Sequence, residues 1–225
     1  MRPGRRPARL ARGAGDALAA CGIDGVVPEA APPLDDRARA AGEAASRGAL
    51  RLLVQAHRPR DACEAAARAR ILAELERLAH PFDRDADPVH VTASAVIAGA
   101  RGTVLHLHRK LGRWLQPGGH LDEGESPAEA AARESREETG LVVAHPREGP
   151  TLLHLDVHPA GDHVHLDVRY LLLTADRRDP SPAPGESPHA RWFSWQEAEA
   201  VADGPLVVAL RAARAALADA SEHGC

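Results

Sequence analysis

Apolar positions along the chain change their period once, near residue 88. From Asp35 to His57, and again from Asp61 to His80, alanine-rich sequence carries apolar residues at helical spacing, with Ile71, Leu72, Leu75 and Leu78 as the clearest set. Asp61 can cap the second helix and Pro81 stops it. After the turn-like run Asp85-Ala86-Asp87-Pro88 the spacing becomes two, in Val89, Val91, Ala93, Ala95 and Ile97, which predicts a strand. Gly99 to Gly102 read as a connector, and Thr103 to His108 as a second strand. Further strands are expected at Leu141 to Ala144, Thr151 to His158 and His163 to Leu173, the last two separated by the turn signal Pro159-Ala160-Gly161-Asp162. A helix over Leu206 to Ala220 closes the chain. Strands mixed with a few helices predict a layered α/β or α+β fold.

The same pattern divides the chain. Residues 1–34 are rich in Arg, Ala, Gly and Pro without a sustained apolar period, and a disordered tail is expected there. Residues 35–84 form a helical extension, and residues 85–221 the domain that carries the chemistry. At 225 residues, with 44% apolar and 27% charged, the chain can bury one sizeable core plus a small helical appendage. A formal net charge of −4 gives no general drive toward a nucleic-acid duplex. Arg2, Arg5, Arg6, Arg9 and Arg12 precede the first acid, but no aromatic is interleaved to stack on bases, so they are read as part of the tail. Cys21, Cys63 and Cys225 have no metal-ligand spacing and suggest neither a zinc site nor a disulfide framework, which fits a reducing cytoplasm. No apolar run approaches the roughly 20 residues that span a bilayer, and the N-terminus lacks a secretory apolar stretch, so a cytoplasmic chain without membrane contact is expected.

The chemistry concentrates between Gly118 and Leu141, in GGHLDEGESPAEAAARESREETGL. Ser126 is a natural N-cap, Pro127 suits the first helical position and Glu129 completes a capping box, so a helix is expected to start at Pro127. Gly140 can take the left-handed conformation that ends it. On that helix Glu134, Glu137 and Glu138 stand at i, i+3 and i+4 and project from one side, close enough to repel. Arg133 and Arg136 offset part of the repulsion. Such a cluster can be a solvated acidic face, but beside a glycine-rich loop it is also a set of hard oxygen ligands suited to Mg²⁺ or Mn²⁺.

Counted from Gly119, Glu125 falls six residues on, Arg133 fourteen, Glu134 fifteen, Glu137 eighteen, Glu138 nineteen and Gly140 twenty-one, with apolar Leu141 next. Coincidence of these seven specified positions has a chance of roughly 10⁻⁸ per start site, which removes the solvated-face explanation. The spacing resembles the Nudix box, and the preceding Pro117-Gly118 resembles the Pro-Gly-Gly lead-in of that family. The similarity spans about Val89 to Trp195. One position departs from the pattern: Ser135 stands where a bulky aliphatic is expected, so the helix should either pack unusually close to the sheet or meet a bulky neighbour.

The resemblance implies the Nudix fold, a mixed β-sheet sandwiched between helices, here with an N-terminal helical extension. It implies a metal-dependent hydrolase that cleaves a phosphoanhydride bond in a nucleoside diphosphate linked to another moiety, a small-molecule partner, with Mg²⁺ as cofactor and Mn²⁺ as its substitute. Glu134, Glu137 and Glu138 match the metal-binding and water-activating acids, the Gly119 carbonyl a backbone ligand, and Arg133 a residue that orients a carboxylate. Gly118, Glu125 and Gly140 take supporting places. Glu186, six residues ahead of Trp192, is similar to a late-loop glutamate that reaches the metals in several members. Substrate-marking residues of the subfamilies do not match cleanly, so the resemblance names no substrate.

Other features leave alternatives open. His163 and His165 alternate along one strand, with His154 and His158 before them; a second metal site is conceivable there, and a polar outer or substrate-facing surface is the commoner explanation. Trp114 can stack on a base or anchor the loop. A Nudix-fold sensor without catalysis typically loses box glutamates, which this chain retains. The isomerase branch, acting on isopentenyl diphosphate, uses a core cysteine, and all three cysteines here lie outside the resembling region. A homodimer through the N-terminal helices is neither supported nor excluded by their modestly apolar faces.

Overall fold

The computed structural model describes residues 36–223; the tail expected over residues 1–34 lies outside them. Asp36–Ala56 (α1) and Ala62–Arg77 (α2) are the two helices of the extension. Asp61 caps α2, its carboxylate accepting the Glu64 N–H at 2.8 Å. The helix ends at Arg77, short of Pro81, where Leu78 turns extended with ψ 134° and buries its side chain.

Seven strands form one mixed sheet: Val89–Gly99 (β1), Gly102–His108 (β2), Arg113–Leu115 (β3), Gly118–His120 (β4), Thr151–Ala160 (β5), His163–Leu173 (β6) and Ala190–Phe193 (β7). The order is β3-β2-β1-β6-β5, with β4 pairing β1 and β7 pairing β2. β1 and β6 run parallel and the other pairs antiparallel. Pro127–Thr139 (α3), Trp195–Val201 (α4) and Gly204–His223 (α5) complete the order. A mixed sheet between helices is the architecture that the sequence predicted.

The period of two in β1 marks one of two buried faces. Val91, Ala93, Ala95 and Ile97 share a core cluster with Leu50 and Val54 of α1, Ile71 and Leu75 of α2, and Ala130, Ala131 and Ala132 of α3. Val96 and Ala98 join Leu105, Leu171 and Phe193 beneath Leu206, Ala209 and Leu210 of α5. Toward the start of β1 this second face turns polar, with His90, Thr92 and Ser94 all buried. Thus the sheet is mostly apolar on one side and half polar on the other.

The strand expected over Leu141 to Ala144 is not one. Ala144 makes a single isolated bridge to Leu173, and Val142 is exposed, so the segment is a connector laid across the end of β6. The short strands β3, β4 and β7 and the helix α4 were not anticipated; elements of three to seven residues show too little period to read.

The extension shares the main core and also reaches the edge strand. Glu64 of α2, 1% exposed, accepts from the Arg60 N–H at 2.6 Å and from the Leu155 N–H of β5 at 3.2 Å, and lies 2.7 Å from His57 Nε2. Burial raises its pKa, but these bonds and the charges of His154 and His57 outweigh it and hold the carboxyl at about 2. The Leu155 N–H follows the β5 irregularity between Leu152 and His154, so Glu64 satisfies backbone that the edge leaves unpaired.

Candidate active site

The helix that carries the acids begins and ends as its sequence requires. Ser126 Oγ accepts from the Glu129 N–H while the Glu129 carboxylate accepts from the Ser126 N–H at 2.9 Å, and Gly140 takes φ +68° at the end. Substituting Gly140 would be doubly unfavourable, since a Cβ there would stand 2.1 Å from the Ser181 carbonyl oxygen. That close approach belongs to a backbone clamp: the Ser181 N–H donates to the Thr139 carbonyl at 2.8 Å and the Ala183 N–H to the Glu137 carbonyl at 2.7 Å. The loop leading to Glu186 is thereby fixed along the end of α3.

Ser135 is fully buried and its hydroxyl donates to the Ala131 carbonyl at 2.7 Å. Small residues stand on both sides of the contact, Ala93 and Ala95 on β1 and Ala130, Ala131 and Ala132 on α3, with Tyr170 filling the same cluster. Close packing of small residues answers the missing aliphatic.

Arg133 organises the acids. Its Nε and Nη2 meet Glu125 Oε1 and Oε2 at 2.9 and 3.0 Å, its Nη1 meets Glu134 and Glu137 at 3.0 Å each, and its Nη2 also donates to the His120 carbonyl at 2.9 Å. Burial disfavours the guanidinium charge, but the bonds to Glu125 and the charge of Glu134 outweigh it and raise its pKa further. Glu125 therefore acts on the cluster through Arg133, in a bidentate pair. β4 is the other wall. A Cβ on Gly119 would fall 2.6 Å from Glu134 Oε1, so only a glycine admits that carboxylate against the strand, and the Gly118 N–H donates to Glu138 Oε2 at 2.9 Å.

The three acids differ in environment. Glu137 is the most open, its side chain 44% exposed, against 17% for Glu134 and 10% for Glu138. Burial pushes Glu138 up to about 8; the Gly118 bond opposes this, and the charges of Glu134, Glu186 and Glu137 add to it. Burial also raises Glu134, with Arg133 opposing and Glu137 and Glu186 adding. Glu186 thus lies close enough for its charge to act on both. Its own carbonyl accepts from Arg109 Nη2, and the neighbouring Ser187 Oγ donates to the Leu107 carbonyl at 2.7 Å.

A cluster of this kind fits a divalent cation. Oxygen donors converge beside a glycine that leaves them room, and the charges of Glu134, Glu186 and Glu137, which add to the burial that raises Glu138, are ones a cation would offset. Glu134, Glu137, Glu138 and the Gly119 carbonyl are the groups that could hold it, with Glu186 alongside.

Sequence reasoning missed one neighbour of the acids and a buried ion pair on the opposite face of the sheet. His106, 5% exposed, places Nδ1 3.4 Å from Glu138 Oε1, with no hydrogen-bond partner for that nitrogen; burial and the His108 charge lower its pKa to about 4, against a bond to Gln116. Asp167 and Arg169, both 4% exposed, form a buried pair at 2.8 Å on the polar half of the sheet, joined by Ser94 at 2.9 Å and Asp156 at 2.8 Å. The alternation along β6 was the available signal: it places His163, His165, Asp167 and Arg169 on one face. Trp114 meets Phe193 edge-on at 5.0 Å and Arg191 at 5.2 Å, contacts that tie β3 to β7. Among the described residues no helix is long and apolar enough to cross a membrane.

Known proteins resemble this chain in domain and fold. The model of the NUDIX domain matches residues 88–211. A NUDIX family hydrolase from Clostridium perfringens superposes with a TM-score of 0.50 at 28% identity, covering 56% of this chain and 97% of that one. An Ap4A hydrolase from C. elegans gives 0.49 at 22% identity over 57% and 98% of the two chains. Among curated proteins, the isopentenyl-diphosphate Delta-isomerase of Streptomyces griseus is 30% identical over 105 residues, 44% of this chain and 53% of that protein, so the chain spans about half the length of this relative. With box, fold and domain model in agreement, the chain belongs to the Nudix family.

Proposed function

We propose that this protein is a Mg²⁺-dependent pyrophosphohydrolase, acting on a nucleoside diphosphate linked to another moiety. The observation that carries the reading is the Arg133-centred set of carboxylates, complete in the box and closed by Gly119. Glu134, Glu137, Glu138 and the Gly119 carbonyl would hold the cation, with Glu186 as a further donor from the late loop. A bound divalent ion would supply charge neutralisation of the diphosphate and lower the pKa of water. The chain's own residues do the rest. Arg133 fixes the directions of Glu134 and Glu137, and Glu125 in turn fixes Arg133. A box carboxylate takes the proton of the attacking water as its oxygen bonds to phosphorus, and the bridging P–O bond breaks to release the leaving phosphate.

The Streptomyces griseus relative favours a second reading, isomerisation of isopentenyl diphosphate. That chemistry in the family uses a core cysteine, and residues 88–211 contain none. A single panel separates the readings: nucleoside triphosphates, ADP-ribose, NAD, dinucleoside polyphosphates, sugar nucleotides and isopentenyl diphosphate, each with Mg²⁺, with Mn²⁺ and with chelator. Metal-dependent phosphate or nucleotide release from one nucleotide supports the hydrolase and names its substrate. Rearranged isopentenyl diphosphate, or tight nucleotide binding with no release, contradicts it in favour of the isomerase or the sensor.

A further inference from the structure

We propose that the sheet face opposite α3 holds a second metal site, in which His90, His120 and His165 bind a borderline divalent transition-metal ion, with zinc as the reference. It is independent of the carboxylate site and of the reaction proposed there. The three histidines come from adjacent strands: His120 of β4 lies across from Thr92 in β1, and His90 of β1 across from His165 in β6. Since successive residues of a strand face opposite ways, Gly119 meets Glu134 on one side while the His120 imidazole lies on the other. One ligand atom from each histidine lies within 4.8 Å of the other two, and the ring centroids stand 5.1 to 5.2 Å apart.

His90 supplies the independent observation. It is completely buried, and its Nε2 has no hydrogen-bond partner. Its Nδ1 lies 3.2 Å from the Asp87 carbonyl oxygen, which can only accept, so Nδ1 carries the ring proton and donates it there while the lone pair stands on Nε2. A backbone carbonyl on the far nitrogen is the arrangement that orients metal-ligating histidines. Burying such an acceptor without a partner costs stability, and a ligated ion removes that cost.

The donor set selects the ion. Imidazoles suit zinc and its neighbours, whereas Mg²⁺ prefers the oxygens across the strand. Bonds of about 2.0 Å to a tetrahedral ion ask for ligand atoms about 3.3 Å apart, so the rings would close in by rotation from the separation seen. Three protein ligands leave a fourth position for water or a substrate oxygen. His163, whose ring lies 5.2 Å from that of His90, stands at the edge of the cluster. Only the backbone carbonyl of His120, and not its imidazole, accepts from Arg133.

The test uses the full chain free of any affinity tag, stripped with chelator and gel-filtered. Zinc is titrated against a chromophoric competitor, and retained metal is counted by mass spectrometry. His120→Asn and His165→Asn are compared with Glu134→Gln, with circular dichroism as the check on folding. Wild type and Glu134→Gln should each retain one zinc ion at the histidines, and each histidine variant should weaken its binding by at least about tenfold. Zinc that neither histidine variant loses, or that Glu134→Gln abolishes, would overturn the proposal, as would a wild type that retains none. Should the histidine variants fail to fold, the imidazole nitrogen resonances of the wild type decide: zinc must shift His90, His120 and His165, and unmoved signals contradict the site.

Discussion

Replacing Glu138 by Gln should stabilise the metal-free protein at alkaline pH while removing its activity. Glu138 is 8% exposed and its carboxyl is pushed up to about 8 from an ordinary value of 4.5. A group whose folded pKa is raised contributes stability that is complete below 4.5 and is lost as pH climbs to about 8. At about 1.4 kcal/mol per unit, the whole shift corresponds to roughly 5 kcal/mol. Burial supplies the larger part of it and neighbouring acids the rest; relaxation and water entry on ionisation reduce it, which leaves about 2 to 3 kcal/mol for this side chain. Gln keeps the oxygen that accepts from Gly118 and brings an N–H toward the unpartnered His106 Nδ1. In a chain of this size the gain is a rise in Tm of roughly 5 to 10 °C at pH 8.5 in chelator. Thermal melts from pH 4.5 to 9 check it: the gap should vanish at the acid end and shrink when Mg²⁺ is added. A variant no more stable than wild type at pH 8.5, or a gap independent of pH, would refute the reasoning.

Three further outcomes follow from named contacts. Arg133→Lys keeps the charge but loses the bidentate pair with Glu125, so kcat should fall on the order of tenfold or more and the Mg²⁺ requirement rise, read from turnover against metal concentration. Gly119→Ala puts a methyl 2.6 Å from Glu134 Oε1 in the folded protein, so circular dichroism should stay near wild type while metal-dependent turnover drops by at least about tenfold. Glu64→Ala removes the buried acceptor for Leu155 and Arg60 and should cost about 3 kcal/mol near pH 7 in urea unfolding. Because the Glu64 carboxyl is held at about 2, its contribution is present above 4.5 and lost as pH falls toward 2, so variant and wild type should converge in acid.

Legibility in the sequence followed the physics of each element. α3 was readable to the residue because capping is local: Ser126, Pro127, Glu129 and Gly140 state the two ends without reference to anything distant. The long strands β1 and β6 announced themselves by alternation. Leu141 to Ala144 has the composition of a strand but only one bridge partner, a fact that depends on where the end of β6 falls. The carboxylate cluster was visible as a spacing, yet its wall was not, because the approach of Gly119 to Glu134 and the burial of Glu138 against His106 come from pairing across the sheet. For the same reason His163 and His165 on β6 could be seen to share a face, while His90 and His120 belong to strands whose register no local pattern reveals. Glu64 was read only as a helical position, although it reaches an edge strand 91 residues away.

The most direct test of the proposed chemistry is turnover of the best substrate from the panel by wild type and by Glu137→Gln, each with Mg²⁺ and with chelator. Glu137 is the most exposed of the three box acids, so its loss leaves the fold intact and isolates its part in the reaction. The proposal predicts hydrolysis that chelator abolishes in wild type and that falls by at least about a hundredfold in the variant with Mg²⁺ present. Equal turnover in both proteins, or hydrolysis that persists in chelator, would contradict it.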